Sequence, residues 1–307
     1  MALRKKGFIP FPIGEQKGFD HADVYLKEGA GAPKLYVAHT GADRIEVIDC
    51  ATNTYVHALS DLPGVAGVLV DSEQDRLFSS DRGCTRVSIY RCSDETLLGR
   101  VPVGPNPNGL AYDPNRRQLF VFNLGDPPGV NPTLSVVAVD RLEVVATLPL
   151  PGRPRWAVYD AATDAVYVNI QTPPLIAVID AAEPRISREI AVPSDGPHGL
   201  AIDGDRLFCA ADGQALVVLN RDSGAIIAQE PLPGAPDVVW HDPSLGRLYV
   251  AIGKPGVVSI IDTNTLKTLE TVLTEEGAHT LGWVSGSRTL YVFLPSSEGA
   301  VVFGEEQ

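Results

Sequence analysis

Short apolar runs rich in valine, isoleucine, leucine and aromatic residues alternate with turn residues along the chain, and no segment keeps a helical period for long. This pattern predicts an all-β protein. One five-residue stretch recurs seven times, at intervals of 41 to 47 residues. Its copies are KLYVA from Lys34, RLFSS from Arg76, QLFVF from Gln118, AVYVN from Ala165, RLFCA from Arg206, RLYVA from Arg247 and TLYVF from Thr289.

Each copy is followed by a second strand such as IEVIDCATN, an outer strand such as VVATLPLPG, and a strand such as GLAYDP that leads into the next copy. Four short strands in about forty residues is the length of one propeller blade. Such a blade buries its faces only against its neighbours, so seven of them must close into a ring. The sequence therefore predicts a seven-bladed β-propeller, with four-stranded blades, as a single domain over residues 1–307.

Ring closure requires the last blade to be completed from the other end of the chain. After the seventh copy begins, only TLYVF and GAVVFG remain. Near the start, GFIPFPIG (7–14) is similar to the outer strand VATLPLPG, and FDHADVY (19–25) precedes the first copy. We therefore expect the N-terminal strands to pair into the seventh blade.

The phrases KLYVAHTGADRIEVID and RLYVAIGKPGVVSIIDTNTLKTLETV resemble the YVTN-type, YncE-like β-propeller repeat, over nearly the whole chain. The resemblance implies the propeller fold. It leaves the activity open, because similar propellers serve as lyases, lactonases, redox modules and interaction scaffolds. Members of this type are often exported, whereas this sequence has no apolar leader after its first basic residues.

The periodicity allows equivalent positions of the repeats to be compared. Aligning the innermost strands on their terminal aspartates, such as Asp113 and Asp203, places one residue of each blade at the channel mouth. In ring order these residues are His21, Ala66, Asn108, Arg155, His198, Asp237 and His279. Three of the six histidines of the chain thus fall at one aligned position, together with one aspartate.

Imidazoles and a carboxylate that converge from rigid strand ends are the ligand types of a divalent metal site. We expect His21, His198, Asp237 and His279 to bind one metal ion, with zinc, iron or manganese favoured. Two other interpretations remain: a water-filled polar mouth, and acid–base chemistry without a metal.

A second set of polar residues lies four positions after the motif leucine of the first three repeats, namely His39, Asp81 and Asn123. We expect His39 to act as a general base beside the metal or as a fifth ligand, with Asp81 orienting it. Arg155 would hold an anionic substrate. Trp156, Asn108 and Asn123 are further candidate substrate-binding residues, and the Pro-rich insertion 124–133 is expected to form a partial lid.

Net charge narrows the class of partner. The formal charge is −13, which disfavours nucleic acid and anionic membranes because both require a basic face. No apolar run reaches the length of a membrane span, and the N-terminus has no signal-peptide apolar region. We expect a cytoplasmic protein that acts on a small molecule and is a monomer, with its four cysteines free.

Two classes of function follow. The first is a metal-dependent enzyme at the channel mouth that acts on a small anionic or carbonyl-containing substrate. Hydrolysis, elimination and isomerisation fit it, and a redox metal would allow oxygen chemistry. The second is a non-catalytic propeller scaffold that binds a protein or a small ligand. Converging polar groups at the mouth favour the first class, and an exposed apolar or charged patch on that face would favour the second.

Overall fold

The computed structural model describes residues 2–12, 18–27, 29, 31–125 and 131–305. Its strands in chain order begin with β1 (Leu3–Pro10), β2 (Ala22–Tyr25), β3 (Lys34–His39), β4 (Arg44–Asp49), β5 (Thr54–Leu59), β6 (Val65–Asp71), β7 (Arg76–Asp81), β8 (Arg86–Arg91) and β9 (Leu97–Pro102). They continue with β10 (Pro107–Asp113), β11 (Gln118–Asn123), β12 (Thr133–Ala138), β13 (Glu143–Pro149), β14 (Pro154–Asp160), β15 (Ala165–Ile170), β16 (Leu175–Asp180), β17 (Arg185–Ala191) and β18 (Pro197–Asp203).

The remaining strands are β19 (Arg206–Ala211), β20 (Ala215–Asn220), β21 (Ile226–Pro231), β22 (Pro236–Asp242), β23 (Arg247–Ile252), β24 (Val257–Asp262), β25 (Thr268–Leu273), β26 (Thr280–Val284), β27 (Thr289–Leu294) and β28 (Gly299–Glu305). Two 3-10 helices of one turn each, Thr40–Ala42 and Arg82–Cys84, follow β3 and β7. In the described part of the chain, no helix is long and apolar enough to cross a bilayer.

The strands form seven antiparallel sheets of four, as the repeat predicts. The innermost strands β2, β6, β10, β14, β18, β22 and β26 contact one another in sequence, and β26 contacts β2, which closes the ring. All seven copies of the motif lie on the second strand of a blade, and their leucine or valine side chains are buried. The seven-bladed propeller fold predicted from the sequence is confirmed.

Closure of the ring uses the N-terminus, but with one strand rather than two. β1 pairs with β28 from Leu3 opposite Glu305 to Pro10 opposite Gly299 and is the outermost strand of the last blade. β2, from the FDHADVY stretch, is instead the innermost strand of the first blade. The last blade has its own innermost strand, β26, which the sequence analysis did not recognise.

The core lies between adjacent blades, where the two faces of each sheet pack against its neighbours. The second and third strands of each blade are almost wholly buried, whereas outer strands such as β5 and β13 alternate between exposed and half-buried positions. This gradient is the expected one for a ring in which only the outer edge meets water. All four cysteines are free, and three of them are buried.

Candidate functional site

The predicted mouth residues all lie at the start of an innermost strand or, for His21 and His279, immediately before it. Asn108, Arg155, His198 and Asp237 are the second residues of β10, β14, β18 and β22, and each follows a proline. A register shift occurs immediately after that proline, for example between Pro197 and Gly199. Such a bulge turns one side chain out of the regular alternation of the strand. The local sequence Pro-X therefore directs residue X toward the channel.

Glycine after the mouth residue allows the innermost strands to approach closely. A Cβ atom on Gly199 would lie 2.5 Å from the carbonyl oxygen of Asp237, and one on Gly109 would lie 2.5 Å from that of Arg155. Both distances are far shorter than a carbon atom and an oxygen atom tolerate. Small residues at these positions thus bring mouth residues of neighbouring blades together.

Six of the seven aligned residues line one small polar cavity at the mouth. We call it the mouth cavity and define it by Asp20, His21, Arg82, Asn108, Arg155, Trp156, His198, Asp237 and His279. Ala66, the seventh aligned residue, is buried but does not line it. The cavity volume is about 60 Å³. One water needs about 10–15 Å³ of cavity volume. The cavity therefore holds on the order of four waters or an anion of similar size.

His198 lies between two carboxylates. Its Nδ1 is 2.9 Å from Oδ1 of Asp212, and its Nε2 is 3.2 Å from Oδ1 of Asp237. Burial opposes the charge on this imidazole, but Asp237 and Asp212 outweigh burial and raise the pKa of His198 to about 9. The pKa of Asp237 is lowered: burial would raise it, but His198, together with His279 and His21, outweighs burial. His198 and Asp237 are therefore an imidazolium–carboxylate pair at neutral pH.

The pKa of His21 is shifted in the opposite direction to that of His198. Its ring is buried, and this burial lowers its pKa, although Asp20 and Asp237 act in the other direction. Nε2 of His21 lies 3.4 Å from Oδ1 of Asp20, and the ring packs on the indole of Trp156 with 4.3 Å between centroids. Asp20 itself is held by Arg82 at 2.8 Å. His21 is therefore neutral while His198 is charged.

Arg155 is a second cation of the mouth cavity, beside Arg82. Its side chain is half-buried, and its buried Nε has no hydrogen-bond partner among the described residues. Burial lowers the pKa of Arg155, as does the neighbouring Arg153, while Asp237, Asp212 and Asp20 act in the opposite direction. A buried guanidinium is normally matched by a carboxylate or another anion. Arg155 is thus available to an anionic ligand.

His279 makes two contacts with backbone carbonyls. Its Nδ1 lies 2.8 Å from the oxygen of Gly277, and its Nε2 lies 2.9 Å from the oxygen of Phe19. Nε2 is also 4.0 Å from Oδ2 of Asp237. These contacts anchor the loop before β26 to the segment before β2, across the last and first blades.

The four predicted metal ligands lie around one cavity, but their donor atoms face other partners. Both ring nitrogens of His198 face carboxylates, and both of His279 face backbone carbonyls. Across the described ranges, no group of three or more His, Cys, Asp or Glu side chains has an arrangement that could hold a metal ion. The residues as arranged do not fit a metal, so no chemical step is assigned to one.

The second predicted ring does not reach the mouth cavity. His39, Asp81 and Asn123 are completely buried and lie outside its lining. They stand at positions i+4 from the motif leucine, on the same strand face, and that face packs against the neighbouring blade. The expectation that these residues stand at the mouth, where His39 would act as a base, Asp81 would orient it and Asn123 would bind substrate, is therefore corrected.

Each of the three has polar partners inside its own blade, although Nε2 of His39 and Oδ1 of Asn123 have no hydrogen-bond partner among the described residues. His39 Nδ1 lies 2.7 Å from Oε1 of Glu46. The carboxylate of Asp81 accepts hydrogen bonds from Ser79, Ser88 and Arg86. The amide of Asn123 donates to Thr133 and Ser135. No contact joins Asp81 to His39 among the residues that the structure describes.

Residues that the sequence analysis missed occupy the next position along the chain. Arg82 and Asp212 lie five residues after the motif leucine, as does Gln171 after the motif valine of its repeat. Gln171 donates from Nε2 to Oδ2 of Asp212 at 3.0 Å. Each of the three is the first residue after the second strand of its blade, and this position beyond the strand end was the available signal. Of the predicted lid 124–133, residues 126–130 lie outside the described residues.

No protein-family model matches the chain. Antigen Lp49 of Leptospira interrogans is 23% identical over 186 residues, which are 59% of this chain and 40% of that protein. The chain thus spans about two fifths of the length of this curated relative.

Among solved structures, Kuenenia stuttgartiensis hydrazine synthase matches with a TM-score of 0.82 and 15% identity, over 95% of this chain and 96% of that one. A chain of the mitotic checkpoint complex matches with a TM-score of 0.82 and 12% identity, over 99% and 92%. At these identities the likeness shows the fold alone. The chain is a seven-bladed β-propeller, similar in fold both to part of an enzyme and to part of a protein assembly.

Proposed function

We propose that the mouth cavity is the active site of an enzyme that acts on a small carboxylate. The observation that carries this proposal is the half-buried Arg155, whose Nε has no hydrogen-bond partner among the described residues, beside two imidazoles with opposite pKa shifts. Perturbed titratable groups around one cavity are a common sign of a catalytic site.

The two histidines suggest the division of roles. His21 is neutral at pH 7 and can accept a proton, whereas His198 is charged and can stabilise a developing negative charge. Arg155 would hold the carboxylate of the substrate and fix its orientation. Asp237, near both imidazoles, stabilises the charge of His198 and keeps its ring in place. This set supports proton transfer at a carbon next to a carbonyl, as in isomerisation or elimination.

The cavity volume restricts the substrate. With about 60 Å³ available, only carboxylates of about two to four carbons enter without rearrangement of the surrounding loops. We also propose, on the repeat phrases alone, that the chain is a divergent member of the YVTN-type, YncE-like propellers.

The scaffold alternative places a partner on the same face. Large exposed apolar side chains do occur, but Val56, Leu97, Ile226 and Leu273 are on outer strands, far from the mouth. The mouth itself presents converging polar groups. These observations favour a small-ligand site over a protein-docking surface at this face.

A panel of small carboxylates tests the proposal. Acetate, glycolate, lactate and pyruvate are titrated into the protein by calorimetry, and solvent-deuterium incorporation at their α or β carbons is followed by NMR. At least one of them should bind and exchange protons, and Arg155→Gln should weaken its binding at least tenfold. Arg153→Gln, a nearby exposed arginine, is the matched control and should bind normally. Equal binding by both variants, or no binding by the native protein, overturns the proposal.

A further inference from the structure

The central channel contains a second cavity beneath the mouth. It is separated from the mouth cavity by the stacked rings of His21 and Trp156, which line both. We call it the channel cavity; its volume is about 270 Å³. Most of its lining is apolar, contributed by residues that include Leu69, Leu110, Leu200, Val239, Trp156 and Trp240. An apolar cavity of about 150 Å³ already accepts benzene, so this one accommodates a ligand with a larger apolar body.

Asp23 is one of the few polar groups in the lining. Its Oδ1 accepts the N–H of Val24 at 2.8 Å, and its Oδ2 accepts that of Val70 at 2.7 Å. Each carboxylate oxygen therefore keeps a free lone pair. Burial raises the pKa of Asp23 to about 7, although both backbone hydrogen bonds act in the other direction. A cation placed beside it would restore the charged form.

His241 is the second polar group of the channel cavity. Its side chain is 10% exposed, and its Nε2 is buried without a hydrogen-bond partner among the described residues. Burial lowers its pKa, which favours the neutral ring. In the tautomer with the proton on Nδ1, the neutral ring presents an unused lone pair at Nε2. The nearest carboxylate oxygen, on Asp203, is 3.9 Å away and cannot donate.

Both groups can therefore accept a hydrogen bond from a bound ligand. The two indoles, Trp156 and Trp240, provide the faces that attract a cation in an apolar site. The channel continues toward the opposite face of the ring, past Asp71 and Tyr112.

We propose that the channel cavity binds a small apolar primary amine. Its ammonium group donates hydrogen bonds to Asp23 and His241, and its hydrocarbon body lies among the leucines and indoles. This site is separate from the mouth cavity and does not depend on the function proposed for it.

Three ligands of one shape test the charge requirement: 2-phenylethylamine, the neutral 2-phenylethanol and the anionic phenylacetate. Binding is measured by calorimetry and by the fluorescence of the indoles. The amine should bind at least tenfold more tightly than the alcohol, and phenylacetate should not bind in the channel. If the alcohol binds as tightly as the amine, or if none of the three binds, the proposal is wrong.

Amino-acid substitutions test whether the amine binds in the channel cavity. Asp23→Asn should weaken amine binding at least tenfold, whereas Asp61→Asn, on an exposed loop, is the matched control. Leu69→Trp fills the cavity from its wall and should abolish binding even if Asp23→Asn perturbs folding, which circular dichroism checks. Arg155→Gln should bind the amine normally. Amine binding that resists both Asp23→Asn and Leu69→Trp overturns the proposal, and failure here leaves carboxylate binding at the mouth unaffected.

Discussion

Nε2 of His198 lies 3.2 Å from Oδ1 of Asp237, although the two residues begin the innermost strands of different blades. The pair is possible because Gly199 lets the backbone of the Asp237 strand approach. The two charges stabilise each other: the carboxylate favours the protonated imidazole, and the imidazolium favours the ionised carboxylate. Packing of neighbouring blades thus produces a chemical pair that no local stretch of sequence contains.

The first prediction concerns pH. The pKa of His198 is raised from 6.5 to about 9 in the folded protein. Its contribution to stability is therefore complete below about pH 6.5 and is lost as the pH rises through 9, a loss on the order of 2–3 kcal/mol. The melting temperature should fall between pH 7 and pH 9.5 in the native protein and much less in His198→Gln. Parallel curves for the two proteins would mean that His198 is not charged.

The second prediction concerns His39. It is completely buried against Glu46, whose other partner is Arg44 at 2.6 Å. His39→Leu should cost about 2–4 kcal/mol of unfolding free energy, because it leaves a buried carboxylate with one partner fewer. His39→Leu combined with Glu46→Leu should recover part of that loss. Neither variant should alter carboxylate binding, and a folded His39→Gln protein that had lost turnover would restore the role in catalysis.

The third prediction concerns metal. We expect protein purified without added metal to contain less than a few tenths of an equivalent of zinc, iron or manganese. A chelator should not change its melting temperature or its carboxylate binding, because the ring nitrogens of His198 and His279 already have partners. Stoichiometric metal that is lost in His198→Ala would show that the mouth rearranges around an ion.

The fourth prediction concerns ring closure by β1. Ile9 is 4% exposed and faces the core, whereas its neighbour Phe8 is 41% exposed. Ile9→Ala should therefore destabilise the protein by about 2–4 kcal/mol, and Phe8→Ala should have little effect. Denaturant unfolding of the two variants measures the difference. Similar midpoints would indicate that β1 contributes little to the last blade.

The fold could be predicted from the sequence because the chain contains seven copies of one structural unit, whose equivalent positions can be compared. It also predicted which residues surround the mouth: the aligned position collects His21, Asn108, Arg155, His198, Asp237 and His279 in one cavity. Alignment succeeded here because every blade begins its innermost strand at the same point of the ring.

Prediction failed where side-chain direction decided the outcome. His39 and Arg82 occupy adjacent positions of the repeat, yet one packs inside a blade and the other lines the mouth. The end of the strand separates them, since His39 is the last residue of β3, whereas Arg82 follows the last residue of β7. Partners such as Asp212 for His198, or the carbonyl of Phe19 for His279, depend on loop geometry, which spacing does not specify.

The position of a bound carboxylate tests the central claim most directly. A crystal structure of the protein with the tightest-binding member of the carboxylate panel should show the ligand in the mouth cavity, with both oxygens within hydrogen-bond distance of the Arg155 guanidinium and the carbon chain toward His21. A ligand found elsewhere, with Arg155 paired to a protein carboxylate, would contradict the account.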